Sequence, residues 1–345
     1  MYLQALATAV PDNALSQREC WDIMQRSPVR SRLSRRSALI LQSILRGDHG
    51  IERRHFALTD PAGIFDRTAD DLNATFRVEA PRLAASALEQ ALEKAKLLPR
   101  DIDALLVCTC TGYLCPGVSS YVSERLGLRT DAFLQDLVGL GCGAAIPMLR
   151  AAHHITASEP EAVVACVAVE ICSAAFYLDD DPGVIISACL FSDGAAATLW
   201  RGRPAGALPP LRAFGFATRH LPQERDKLRF EQRDGRLRNL LHPTVPELAA
   251  AAVSDLWSAR GDQPVSRVVA HGGGRDVIAA LAPVVAPHSL DLTAQVLRDR
   301  GNMSSPSVLF ALEESLKLDP PHGQGDYWLV SFGAGFAAHS CRLGV

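Results

Sequence analysis

Three short segments carry side chains able to do covalent chemistry at a carbonyl carbon. The first is Gly139-Leu140-Gly141-Cys142-Gly143-Ala144-Ala145, where a cysteine stands between glycines at the head of an alanine-rich helical pattern reaching about residue 155. At a helix N-terminus the unpaired N–H groups and the positive dipole end favour a thiolate. Flanking glycines allow a sharp turn and close approach of a substrate. A small thiol buried in a tight helix–sheet contact would leave the same local sequence. The second segment is Val268-Val269-Ala270-His271-Gly272-Gly273-Gly274, a β-branched run ending in a histidine and three glycines before a helix. Functional groups favour the carboxyl ends of strands in α/β sheets, which makes His271 a candidate base or oxyanion donor. The glycines could instead hold a phosphate at the helix start, although they fit neither the dinucleotide fingerprint nor the P-loop. A histidine satisfied within a loop is the third option. The last segment, Arg300-Gly301-Asn302-Met303-Ser304-Ser305, also precedes a helix. Asn302 there is either a helix cap or an amide presented to developing negative charge.

Jointly the segments supply a thiol, an imidazole and an amide. A thiol needs a nearby base or cation to react at neutral pH. His271 can fill that role and form an ion pair with Cys142, while Asn302 and His271 both donate to an oxyanion.

The elements that must position these groups alternate. Helical spacing marks residues 81–95, 121–126, 244–260, 274–282 and 306–316, and short apolar runs mark buried strands at 102–108, 163–169, 195–199, 267–270 and 327–332. Strands separated by helices imply an α/β protein. The Pro- and Gly-rich stretch 201–211 is the best linker. The two flanking parts share one grammar, as expected of an internal duplication, without a strict repeat. Pro147 must kink the Cys142 helix or lie in its first turns.

At 345 residues the chain has the length of about two domains or one large duplicated one. Its composition, 48% hydrophobic and 21% charged, excludes wholesale disorder. A net charge of −3 argues against a nucleic-acid coat. The best apolar run, 163–178, is interrupted by Glu170, so no membrane span is expected. The N-terminus lacks a basic leader and is cut by Pro11 and Asp12, unlike a signal peptide. Nine cysteines in largely apolar settings read as buried thiols in a reducing cytoplasm. Cys108, Cys110 and Cys115 lack zinc spacing, Asp179-Asp180-Asp181 reads as a solvated loop, and His153-His154 as helix surface, so no metal is expected.

The order of these motifs resembles the type III polyketide synthases, the chalcone and stilbene synthase-like family, over roughly residues 50–345. Gly141-Cys142-Gly143 is similar to the family's nucleophile segment, Ala270-His271-Gly272-Gly273 to its histidine motif, and Gly301-Asn302-Met303-Ser304-Ser305 to its asparagine motif. Phe191-Ser192-Asp193-Gly194 resembles the segment of the first gatekeeper phenylalanine, and Phe230 falls near the second on a looser alignment. Ser331-Phe332-Gly333-Ala334-Gly335 resembles the glycine loop that shapes the cavity.

The resemblance implies a thiolase-like fold of two pseudo-duplicated βαβαβ halves in a five-layered αβαβα core. It places the cysteine in residues 1–200 and the histidine and asparagine in 201–345. It implies an acyltransferase: Cys142 takes an acyl group from a CoA thioester, malonyl-CoA loses CO2, and His271 and Asn302 hold the enolate. Several rounds and a ring closure to a pyrone, resorcinol or phenol follow, with no cofactor beyond the CoA substrates. Phe191 and Phe230 would wall the reacting carboxylate from water. Thr111, Cys115, Cys172, Ala175, Gly272, Gly273, Ser304, Gly333, Ala334 and Gly335 would line the substrate site. Cys115 would reach into the partner's cavity in a homodimer.

Departures from the family bear on substrate. Cys172 stands where plant members carry threonine, and Ala175 where they are often larger, which points to a wide cavity and a long or fatty chain. Leu41, Ile44 and Asp48 fall where CoA-gripping Lys and Arg are expected. Arg46, Arg53 and Arg54 would rebuild that rim, with Arg26, Arg30, Arg32, Arg35 and Arg36 nearby. An acyl carrier protein could also deliver the starter. Two other functions stay open: a single-round condensing enzyme like ketoacyl-ACP synthase III or HMG-CoA synthase, and a non-catalytic thiolase-fold partner subunit.

Overall fold

The computed structural model describes residues 1–58, 60, 63, 65–204, 210–318 and 325–345. The strands are β1 (Tyr2–Ala9), β2 (Ala14–Ser16), β3 (Arg53–His55), β4 (Ala104–Cys108), β5 (Phe133–Leu137), β6 (Val164–Glu170), β7 (Gly194–Arg201), β8 (Arg212–His220), β9 (Leu228–Arg233), β10 (Arg236–Leu241), β11 (Val265–Ala270), β12 (Asp326–Gly333) and β13 (Ala337–Gly344). The α-helices are α1 (Gln17–Arg26), α2 (Arg35–Arg46), α3 (Ala69–Ala95), α4 (Val118–Leu126), α5 (Ala145–Ser158), α6 (Pro182–Leu190), α7 (Val245–Ser258), α8 (Arg275–Leu281), α9 (Asp291–Arg300) and α10 (Ser307–Leu318).

Nine strands form one mixed sheet in the order β11-β12-β13-β8-β1-β7-β6-β4-β5. Its two parts join through a single β1–β8 pairing, Tyr2 with Arg212. On one side β1 pairs β7 antiparallel, β7 pairs β6 antiparallel, and β6 pairs β4 parallel. On the other side β8 pairs β13, β13 pairs β12 and β12 pairs β11 with the same succession of senses. The duplication invisible as a sequence repeat is therefore present as topology. Residues 205–209 of the expected linker lie outside the described residues.

Period-two strands sort their side chains onto two faces. Leu106, Cys108, Cys166 and Ala168 of the first part and Val269, Tyr327 and Leu329 of the second meet α5 and α10 in one central core. Leu105, Val107, Ala165 and Val167 face α3 instead. Trp328, Val330 and Phe332 face α7 and α8. Helix, sheet, helix, sheet and helix thus stack in five layers. Truncating a fully buried member such as Leu106 to Ala would cost about 2–5 kcal/mol.

Boundaries moved where caps override periodicity. Helix α3 begins a full 12 residues before Pro81, because Thr68 and Asp71 form a reciprocal capping box at its start. Pro147 falls in the first turn of α5, where its missing N–H costs no helical bond. His153 is half-buried and His154 exposed on α5. Among the described residues no helix is long and apolar enough to cross a membrane.

Candidate active site

The carboxyl ends of the parallel strands converge on one face. Thr109, Cys110 and Thr111 follow β4, Cys172 comes two residues after β6, His271 directly follows β11, and Gly333 ends β12. Cys142 sits in the 3-10 turn Gly141–Gly143 that leads into α5. That turn needs its glycines. Gly141 has φ +57, and a Cβ on Gly333 would lie 2.5 Å from the Gly143 amide nitrogen, so the β12 end can pack directly under the cysteine loop.

A chain of hydrogen bonds links the three chemical segments. The Ser304 hydroxyl donates to the Cys142 sulfur at 3.1 Å. The Ser304 amide donates to Asn302 Oδ1 at 2.8 Å, and Asn302 Nδ2 donates to the Gly273 carbonyl at 2.7 Å. Gly273 is two residues past His271, whose ring packs on Phe332 with centroids 5.0 Å apart. Phe332 immediately precedes the Gly333 that supports the cysteine loop. Asn302 is thus no simple helix cap; through one N–H and the carbonyl oxygen its amide ties the histidine loop to the serine beside Cys142. The backbone also pairs Asn302 with Phe191 as an isolated bridge.

Burial pushes the Cys142 thiol up to about 12, with the Ser304 hydrogen bond acting the other way. Burial pushes the His271 imidazole down to about 4. The sequence predicts a Cys142 thiolate favoured by the helix end and paired with His271, but loss of water outweighs the dipole at the sulfur. Each group therefore rests in its neutral form. Among the described residues, Nδ1 of His271 has no hydrogen-bond partner.

Beneath the cysteine lies Glu170, fully buried, with burial raising its pKa. Its Oε2 accepts from Thr109 Oγ1, from the Cys110 and Thr111 amides and from Thr111 Oγ1 at 2.8–3.2 Å. Its Oε1 accepts from Ser305 Oγ at 2.7 Å and from the Cys110 thiol. Glu170 entered the sequence reading only as an interruption of an apolar run. A lone carboxylate at the end of such a run was the signal for it.

A pocket of about 360 Å³, open mouth included, adjoins this centre. Thr111, Cys172, Ala175, Phe191, Phe230 and Ser304 line it, together with Phe176, Val184 and Asn239, which the sequence did not single out. Gly272 and Gly273 line a separate hollow of about 200 Å³ behind Asn302. Gly333 and Ala334 lie under the Cys142 turn, and Gly335 lies near His220. Cys115 is exposed at the surface.

The arginines divide. Arg46 and Arg53 are exposed. Arg54 is only 3% exposed and points inward: its Nε donates to Gln17 Oε1 at 2.9 Å and its Nη1 to the Ala188 and Phe191 carbonyls. The expectation that Arg54 belongs to a phosphate-gripping rim is corrected, because its donors are consumed holding the end of α6. The acidic triplet is not a bare solvated loop either. Asp181 caps α6, Asp179 accepts from Arg238, and Asp180 accepts from the Ser34 amide.

Residues 12–206, more than half of the chain, match the family described as FAE1/Type III polyketide synthase-like protein. The chain belongs to the type III polyketide synthase family. This synthase is 30% identical to the 3,5-dihydroxyphenylacetyl-CoA synthase of Amycolatopsis orientalis over 349 residues, covering 96% of this chain and 90% of that one. It is 25% identical to the 1,3,6,8-tetrahydroxynaphthalene synthase of Streptomyces coelicolor, covering 96% and 89%. The crystal structure of that Streptomyces coelicolor A3(2) enzyme shares the fold with a TM-score of 0.87 at 23% identity, covering 100% of this chain and 99% of that one. PKS-I from the brown alga Ectocarpus siliculosus shares it with a TM-score of 0.88 at 22% identity, covering 99% and 97%. The synthase is accordingly an acyltransferase-class enzyme with a thiolase-like fold.

Proposed function

We propose that the synthase runs an iterative decarboxylative Claisen condensation through Cys142. His271 takes the thiol proton as the sulfur attacks an acyl-CoA carbonyl, and CoA leaves with that proton. Malonyl-CoA then enters and loses CO2. The enolate oxygen accepts from His271 and Asn302, and its carbon attacks the Cys142 thioester, freeing the thiolate. The extended chain returns to Cys142 for another round, then cyclises to a pyrone, resorcinol or phenol-type product. Phe191 and Phe230 exclude water where the malonyl carboxylate is lost. The phenolic products in the names of both bacterial relatives support this outcome.

The observation that carries the proposal is Ser304. Its hydroxyl touches the Cys142 sulfur and the same residue lines the pocket, which sets the cysteine one side chain away from a hollow walled by Phe191 and Phe230. Exposed Arg46 and Arg53 are the rim residues left for CoA phosphates. In the proposed homodimer, surface-exposed Cys115 contributes to the partner's cavity, and the cytoplasm is the compartment that suits nine free thiols.

The test is incubation with malonyl-CoA, alone and with short, aromatic and long acyl-CoA starters, followed by product mass. Wild-type enzyme is expected to add two or more ketide units, and Cys142→Ala none. One added unit would favour a single-round condensing enzyme. Full activity of Cys142→Ala would refute the mechanism.

A further inference from the structure

The roof of the pocket carries a polar group that the condensation chemistry does not use. Asn239 lies on β10 directly across from Phe230 on β9. It is only 9% exposed, it lines the pocket, and among the described residues its Oδ1 has no hydrogen-bond partner. Its neighbours along the pocket wall are mostly apolar: Phe176, Val184, Ala188, Phe191 and Phe230. Among the lining hydroxyls, Ser187 donates to the Gly183 carbonyl at 2.8 Å, Thr111 to Glu170 at 2.8 Å and Ser304 to the Cys142 sulfur at 3.1 Å. A buried acceptor left without a donor is unfavourable, and buried polar groups almost always find partners. Oδ1 is itself shielded from solvent while the residue borders the pocket, so a turn of the amide is what brings a polar atom toward a ligand there.

The position of this amide is fixed. Its neighbour Arg238 donates from Nε to Asp179 at 2.8 Å and from Nη1 to Glu231 at 3.0 Å, and pairs with Asp181 at 3.4 Å. Asp181 also accepts from the Gly183 amide at the start of α6, the helix that supplies Val184, Ser187 and Ala188 to the pocket. Hairpin and helix are therefore clamped through one arginine and the acidic triplet. Asn239 rides on that clamp, as a group that selects a ligand by geometry must.

We propose that Asn239 is a specificity-determining residue whose amide hydrogen-bonds a keto or enol oxygen of the growing β-polyketone. It selects oxygenated chains over saturated acyl chains. Oδ1 suits an enol hydroxyl; turned by 180°, the same amide offers Nδ2 to a keto oxygen. A poly-β-keto chain presents both, and a hydrocarbon presents neither. This inference rests on the polyketide synthase function proposed above and runs against the fatty chain suggested by Ala175. A saturated tail in this pocket would bury the amide with nothing to bond, a mismatch that hydrogen-bonding sites reject strongly.

The test compares malonyl-CoA alone, which builds an oxygenated chain throughout, with lauroyl-CoA plus malonyl-CoA. The readouts are kcat/KM for each and product masses. In Asn239→Leu the malonyl-to-lauroyl ratio is expected to fall about tenfold, equivalent to about 1.4 kcal/mol, and malonyl-only products to shorten. Asn239→Ser replaces the amide with a hydroxyl that can still donate and accept, and is expected to retain the wild-type order. Should Asn239→Leu melt early by circular dichroism, Asn239→Ala serves the same comparison. A ratio within about twofold of wild type in either folded variant overturns the assignment while leaving the synthase reaction intact. Failure of wild-type enzyme to condense any starter removes the reaction itself, and the assignment with it.

Discussion

The Ser304 hydroxyl donates to the Cys142 sulfur from a backbone held left-handed at φ +59. A non-glycine residue in that conformation is strained, and such strain persists where surrounding contacts enforce it. Here the Ser304 amide bond to Asn302 Oδ1 is one such contact. The hydroxyl lowers the thiol pKa against the burial that raises it.

Removing that donor is therefore expected to slow Cys142. In Ser304→Ala, alkylation by iodoacetamide at pH 7 should fall about tenfold, the size of a hydrogen bond to a charged group. Ser304→Gly should lose the same reactivity yet melt no lower, because glycine accepts the positive φ. Inactivation rates and thermal melts on both variants check the pair. Unchanged alkylation in Ser304→Ala would mean that the contact does not tune the nucleophile.

His271→Gln tests the proton acceptor. Burial and the charge of Glu170 hold Cys142 as a thiol, and in the proposed mechanism His271 is the group that takes its proton. Condensation is expected to drop by about 10²–10⁴, the range for a positioned acid or base. Formation of the acyl-Cys142 adduct, read by intact mass, should slow with it. An adduct formed at wild-type speed would assign His271 to the later enolate step alone.

Glu170→Gln should separate fold from chemistry. Thr109, Thr111, Cys110 and Ser305 all donate toward the carboxylate, so an amide places two hydrogens against donors. A loss of about 2–4 kcal/mol is expected from breaking a buried network, visible in urea unfolding. The charge of Glu170 also raises the Cys142 pKa, so in the surviving folded fraction alkylation at pH 7 should quicken. Slower alkylation would show that Glu170 positions the thiol rather than repelling its charge.

The parts of this site that the sequence carried were those with a covalent or backbone signature. Cys142, His271 and Asn302 stand in glycine-rich turns after strands or before helices, and Ser304 rides on the asparagine segment. What escaped was set by tertiary geometry. Strand β1 lies mid-sheet between β7 and β8, yet residues 2–9 were weighed only as a leader. The β9–β10 hairpin had a visible cue in Asp234-Gly235, both at positive φ in the turn, a strong hairpin signal. Without that hairpin Asn239 could not be placed opposite Phe230. Arg54 failed for the opposite reason: composition counts it with exposed arginines, and only packing shows its donors spent on Gln17, Ala188 and Phe191.

Acid should destabilise the fold through its histidines. His271 and His339 are each pushed by burial from 6.5 to about 4, and His55 shifts in the same direction. As pH falls from 6.5 toward 4, the unfolded chain takes up these protons and the folded chain does not, so stability is lost. Asp193 opposes this. Burial raises it from 3.8 to about 6, so the folded carboxyl binds its proton first and gains stability as pH falls from 6 to 3.8. Glu170, also raised by burial, acts in the same sense as Asp193, so three histidines stand against two carboxyls and the net loss is smaller than the histidine contribution alone. The urea midpoint is expected to be lower at pH 5 than at pH 7. His339→Gln, which can keep a hydrogen bond to Thr218, should flatten that dependence by about one proton, because the ring that titrates is gone. A midpoint that rises on acidification would mean that Asp193 and Glu170 dominate and that the buried histidines keep their protons in the folded state.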